Sequence, residues 1–131
     1  MDARAFVTIG MSAERMLTVT PDMTVKHFVP SMPAVYATPM MIMVMEMTSG
    51  DAISATLPEG FVTVGTEVDI RHLAATPLGH QVRTTARVTA VERKVIRFMV
   101  EAFDGDRRIG EGSHARGLVN VASFIRRLEV G

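Results

Sequence analysis

The chain has 131 residues, 47% of them hydrophobic and 21% charged, with 14 basic and 14 acidic side chains. This fits one domain, residues 1–131, with its own apolar core, and balanced charge removes the electrostatic case for nucleic acid or an anionic membrane surface as partner. Cysteine is absent, so disulfide and thiolate chemistry are both excluded.

The N-terminus, Met1-Asp2-Ala3-Arg4-Ala5-Phe6, lacks the basic start and long apolar core of a signal peptide. The longest apolar run, Pro39 to Met45, falls far short of the roughly 18 residues expected of a membrane span. A soluble, cytoplasmic protein is expected. The eleven methionines read as adaptable packing rather than as a soft-metal thioether site, and His27, His80 and His114 have no ligand spacing. No metal and no cofactor are assigned, and the three histidines are expected to play ordinary roles.

A first strand is expected near Arg15 to Thr20, before Pro21. Thr38-Pro39 reads as a helix start, with Thr38 at the N-cap and Pro39 at the first helical position, where its missing N–H costs nothing. The helix can run to about Thr56, before Pro58-Glu59-Gly60 stops it. Met40 to Met45 is apolar on every side, so this helix should be enclosed on most sides. From Phe61 the even positions Val62, Val64, Thr66, Val68 and Ile70 alternate with polar residues or glycine, which predicts a strand with its even face buried. Val82, Thr84, Ala86 and Val88 form a second alternating set, and Ile96, Phe98, Val100 and Ala102 a third. Asp104-Gly105-Asp106 is a hairpin turn. Ile109 to Val121 continues as a strand loosened by Gly110, Gly112 and Gly117, and Val121 to Leu128 can close the chain as a short amphipathic helix. The plan is α+β: a curved antiparallel sheet wrapped around a central buried helix.

Within that plan, Glu46 is a carboxylate inside the methionine-rich run, where burial without a partner is expensive. His72 shares parity with Val68 and Ile70 and so should point toward the helix. Two such groups, their acidities shifted by burial and by each other, are raw material for general acid–base catalysis. Thr38 brings a hydroxyl to the positive end of the helix, where a developing oxyanion is stabilised. Eight helical residues rise about 12 Å, so Thr38 and Glu46 cannot meet along one continuous helix. Either the segment after Thr38 is irregular or the site borrows from a second chain. Gly65 interrupts the outward face of its strand, as a bulge or as room for a ligand. Arg83, Arg87, Arg97, Arg107, Arg108 and Arg116 form a solvated face from which some could meet a polyphosphate.

Ala37-Thr38-Pro39 leading into Met45-Glu46, then Val64-Gly65-Thr66 and Arg71-His72-Leu73-Ala74-Ala75-Thr76-Pro77, resembles the hot-dog-fold thioesterases of the fluoroacetyl-CoA thioesterase type, over roughly Arg15 to Arg127. The resemblance implies hot-dog subunits that hydrolyse small acyl-CoA thioesters, assembled as a homodimer or a dimer of such dimers, with the site at the subunit interface. By motif, Thr38, Glu46 and His72 match the family's catalytic residues, and Gly65 and Arg116 match positions lining the substrate and CoA site. Between Val29 and Tyr36 the sequence departs from the pattern, with Val29 and Met32 where an aromatic gate would stand. The alternative reading is a non-catalytic acyl-CoA-binding or regulatory module on the same fold.

Overall fold

The structure is a computed structural model and describes residues 1–130. Its framework is five antiparallel strands and one long helix. Strand β1 spans Ser12–Thr18, β2 Phe61–His72, β3 Gln81–Val91, β4 Val95–Asp104 and β5 Arg107–Asn120, in the spatial order β1-β3-β4-β5-β2. A short helix α1 (Val25–Phe28) precedes α2 (Thr38–Ser54), and α3 (Val121–Val130) closes the chain. Strands β4 and β5 are joined through Gly105-Asp106, the expected hairpin turn.

Alternation in β3 and β4 places side chains as the sequence predicts. Val82, Thr84, Ala86 and Val88 are buried, as are Ile96, Phe98, Val100 and Ala102, with Thr84 opposite Ala102, Ala86 opposite Val100 and Val88 opposite Phe98 on the face that packs on α2. Fully burying an aliphatic or aromatic side chain of this kind contributes about 1.5–3 kcal/mol, so this layer supplies much of the core. The glycines of β5 have a packing reason. A Cβ on Gly110 would lie 2.5 Å from the Met41 sulfur, so α2 rests directly on strand backbone there.

Two expectations change. Helix α2 is buried along one stripe only, through Met41, Val44, Met45, Thr48, Ser49 and Ile53, while Met43 and Met47 stay 52% and 39% exposed. One curved sheet covers one side of a helix, and no other described element covers the far side. The second change is in β2, where the pairing with β5 slips by one residue between Gly65 and Glu67. This bulge gives the strand an extra residue and reverses its parity. Beyond it Ile70 and His72 face the helix as predicted. Before it the odd positions Thr63 and Gly65 do, and Val62 lies 44% exposed. Gly65 is therefore on the inner face, not the outer one.

Candidate active site

The start of α2 lies one residue earlier than expected. Ala37 is the extended N-cap residue, Thr38 is already helical, and no side chain caps the first turn. The Thr38 hydroxyl is engaged elsewhere: Oγ1 lies 2.7 Å from His72 Nδ1. Thus the two ends of a helix and a strand, 34 residues apart in sequence, meet through a hydroxyl–imidazole contact. Burial lowers the His72 pKa below its ordinary 6.5, opposed in part by the backbone of Ala74, so near neutral pH the ring is the free base. Its Nε2 is buried without a hydrogen-bond partner among the described residues. The pair opens on a cleft of about 390 Å³ lined by Val25, Val35, Tyr36, Leu73 and Ala74. Tyr36 forms an apolar wall there, its phenol pushed up to about 12 by burial.

Glu46 occupies a second cluster. A Cβ on Gly65 would sit 3.0 Å from Glu46 Oε1 and 3.2 Å from His114 Cε1, so the missing side chain is the room into which the carboxylate fits. Glu46 is half-buried and forms no ion pair among the described residues. Arg116, on β5 opposite Gly65, is held around this cluster by its Nε donating to Thr63 Oγ1 (2.8 Å), Nη2 to the Thr63 carbonyl (2.7 Å) and Nη1 to the Glu46 backbone carbonyl (3.4 Å). Burial lowers the Arg116 pKa from its usual high value and the Glu46 charge opposes the shift; a guanidinium stays protonated under these conditions.

The remaining arginines of the later strands behave as a solvated face. Arg83 pairs with Glu14, Arg97 with Glu67 and Glu92, and Arg108 with Glu101. Arg116 is the one of these six that turns toward the helix. His114, for which the sequence predicts an ordinary role, is 3% exposed and borders the Glu46 cluster. Its spacing of two from both Gly112 and Arg116 put it on the inner face, and that parity was the available signal.

Within one chain, then, Thr38 and His72 come together, as do Glu46, Gly65 and Arg116, but the two sets stay apart. Helix α2 is continuous from Thr38 to Ser54, which separates Thr38 from Glu46 by about 12 Å along the axis. Gly65 and His72 are on the order of 20 Å apart along β2.

Residues 19–122 match the family model described as FlK, fluoroacetyl-CoA-specific thioesterase. The chain belongs to the fluoroacetyl-CoA-specific thioesterase family. The fluoroacetyl-CoA thioesterase of Streptantibioticus cattleyicolor is 35% identical over 122 residues, 88% of each chain. A solved structure of a variant of the fluoroacetyl-CoA-specific thioesterase FlK, in complex with fluoroacetate and CoA, superposes with a TM-score of 0.83 at 32% identity, over 90% of this chain and 99% of that one. A hot-dog-like protein from Thermanaerovibrio acidaminovorans gives a TM-score of 0.89 at 24% identity, covering 98% and 95% of the two chains. The fold of this family member is the hot dog, an α+β sheet curled around α2.

Proposed function

We propose that this chain hydrolyses small acyl-CoA thioesters to the free acid and CoA, at a site completed by a second copy of the chain. The observation that carries the reading is the Thr38–His72 contact at 2.7 Å, set at the positive end of α2 in a member of a thioesterase family. The complex of the related enzyme with fluoroacetate and CoA supports CoA thioesters as the substrate class. In the reaction the acyl C–S bond breaks, the acyl carbon gains the oxygen of water and the departing sulfur gains a proton. Thr38 and the first turn of α2 stabilise the carbonyl oxygen as it becomes anionic. His72, a free base near neutrality, handles the protons and orients the thioester. Glu46 either attacks the carbonyl itself or activates the water that does.

The separation of the two clusters supports a homodimer in which Glu46 of one chain serves Thr38 and His72 of the other. Exposed Met43 and Met47 on α2 and the unpaired edge of β2 offer what such a pair would cover. Light scattering at micromolar concentration is expected to give twice the chain mass of 14.3 kDa; a monomer that retains full activity contradicts the shared site. In this reading the cleft beside Thr38 receives the acyl group. Val29 and Met32, 47% and 44% exposed in the loop before Thr38, stand where the family resemblance would put an aromatic gate, so the reading extends to small acyl groups and not to a preference for the fluorinated one.

The test is thiol release across acyl-CoAs of graded chain length, with His72→Ala as control. Release on the small substrates is expected. CoA binding without release above the control supports the binding-module alternative. In the same assay Arg116→Ala should raise KM more than it lowers kcat, because its guanidinium serves ground-state binding. An unchanged KM at low salt removes Arg116 from the site.

A further inference from the structure

His114 is a nearly fully buried histidine on β5, and both its ring nitrogens are occupied. Nδ1 lies 2.8 Å from the backbone carbonyl of Glu67 and Nε2 lies 3.1 Å from Arg116 Nη1. These two contacts fix the tautomer. A carbonyl oxygen can only accept, so Nδ1 carries the proton; a guanidinium can only donate, so Nε2 must present a lone pair. The contact with the Glu67 carbonyl lies directly beside the bulge, where Thr66 is the residue without a partner on β5 and pairing resumes at Glu67. With His114 included, Arg116 has four of its five N–H groups bound to protein, leaving one on Nη2.

We propose that His114 is a positioning residue for the site, locked as the neutral Nδ1–H tautomer so that its Nε2 lone pair aims the Arg116 guanidinium beside Glu46. This rests on the thioesterase reading for its kinetic consequence, though not for the lock itself. The surroundings favour the neutral ring. Burial comes first in depressing the His114 pKa and the Arg116 charge adds to it, while the Glu67 carbonyl and the Glu46 charge oppose. The groups facing the ring are Glu46 from α2, the Glu67 carbonyl from β2, Phe98 from β4 at 6.2 Å between ring centroids, and Arg116 on β5 itself. The Glu67 carboxylate is turned away to Arg97. A protonated His114 would set an N–H against the guanidinium and release Arg116 from its aim.

The first test needs no turnover. Long-range proton–nitrogen correlation spectra of the full chain labelled with 15N-histidine are expected to show His114 with a protonated Nδ1 and a bare Nε2, unchanged from pH 8 down to pH 6. A protonated Nε2, or titration with an ordinary imidazole midpoint, overturns the lock. The second test separates positioning from packing. His114→Leu removes both contacts and is expected to raise KM several-fold with kcat nearly unchanged. His114→Gln, whose amide oxygen can accept from Arg116, is expected to restore KM. Equal impairment of the two variants, or no change in either, overturns the positioning role. Should no acyl-CoA be hydrolysed by the parent chain, the same comparison is read in the Kd for CoA, so a failure of the thioesterase reading stays distinct from a failure of this one.

Discussion

Glu46→Gln is expected to melt at the temperature of the parent chain or above it, and to lose a factor of at least about 100 in kcat, the low end for removal of a positioned acid–base group. The substitution keeps the shape of the side chain and deletes its charge. If the carboxylate were one half of a structural ion pair, its loss would strand a buried cation at a cost of about 3–5 kcal/mol. No described cation is paired with it: Arg116 reaches the Glu46 backbone carbonyl and is otherwise held by Thr63 and His114. Removing a partly desolvated charge from beside Gly65 should therefore relieve the fold rather than injure it. Thermal melting and kcat measured on one preparation decide the matter. A folded variant with near-normal kcat would show that the carboxylate is not the catalyst.

His72→Gln should bring a loss of similar size and also remove a limb from the pH profile. The imidazole must be unprotonated to accept a proton, and burial holds its pKa below 6.5. The sign follows: in the parent chain kcat/KM is expected to be flat through neutrality and to fall only on the acid side of 6.5, as His72 takes up its proton. The residual activity of His72→Gln should lack that limb. An acid limb at the same position in both proteins assigns the titration to another group.

How much of this was legible in the sequence varied with the kind of signal. The faces of β3 and β4 followed from alternation, because strands packed on one side of a helix obey a strict period of two. Helix α2 was placed within two residues, since Pro39 and Pro58 punctuate it whatever packs around it. Its environment was less legible. Met40 to Met45 is apolar all round, and composition cannot separate a helix enclosed by its own chain from one awaiting cover by another. The cap was misread because a threonine before a proline is a good N-cap by local chemistry alone. A tertiary contact with His72, 34 positions away, claims the hydroxyl instead. Thr38, Glu46, His72, Gly65 and Arg116 were named by motif; that they form two clusters rather than one was foreshadowed only by the length of the helix. The parity of His114 with Gly112 and Arg116 reports the face it lies on, but its neighbours there come from α2, β2 and β4, and no local pattern reports those.

The bulge in β2 has a consequence for chain length. Gly65 and His72 have opposite parity, and in a regular strand they would lie on opposite faces of the sheet. One added residue puts both on the side of α2. What serves this stretch is therefore a count matched to the bulge: β2 takes seven steps from Gly65 to His72 where β5 takes six from Arg116 to Gly110, and Thr66 is the residue left over. Substitutions at the outward positions Glu67, Asp69 and Arg71 leave the arrangement standing. Deleting one residue makes the two counts equal, so the bulge closes and both residues still face α2 from a regular strand. A relative with one residue fewer between them would keep the two inward residues and lose the bulge.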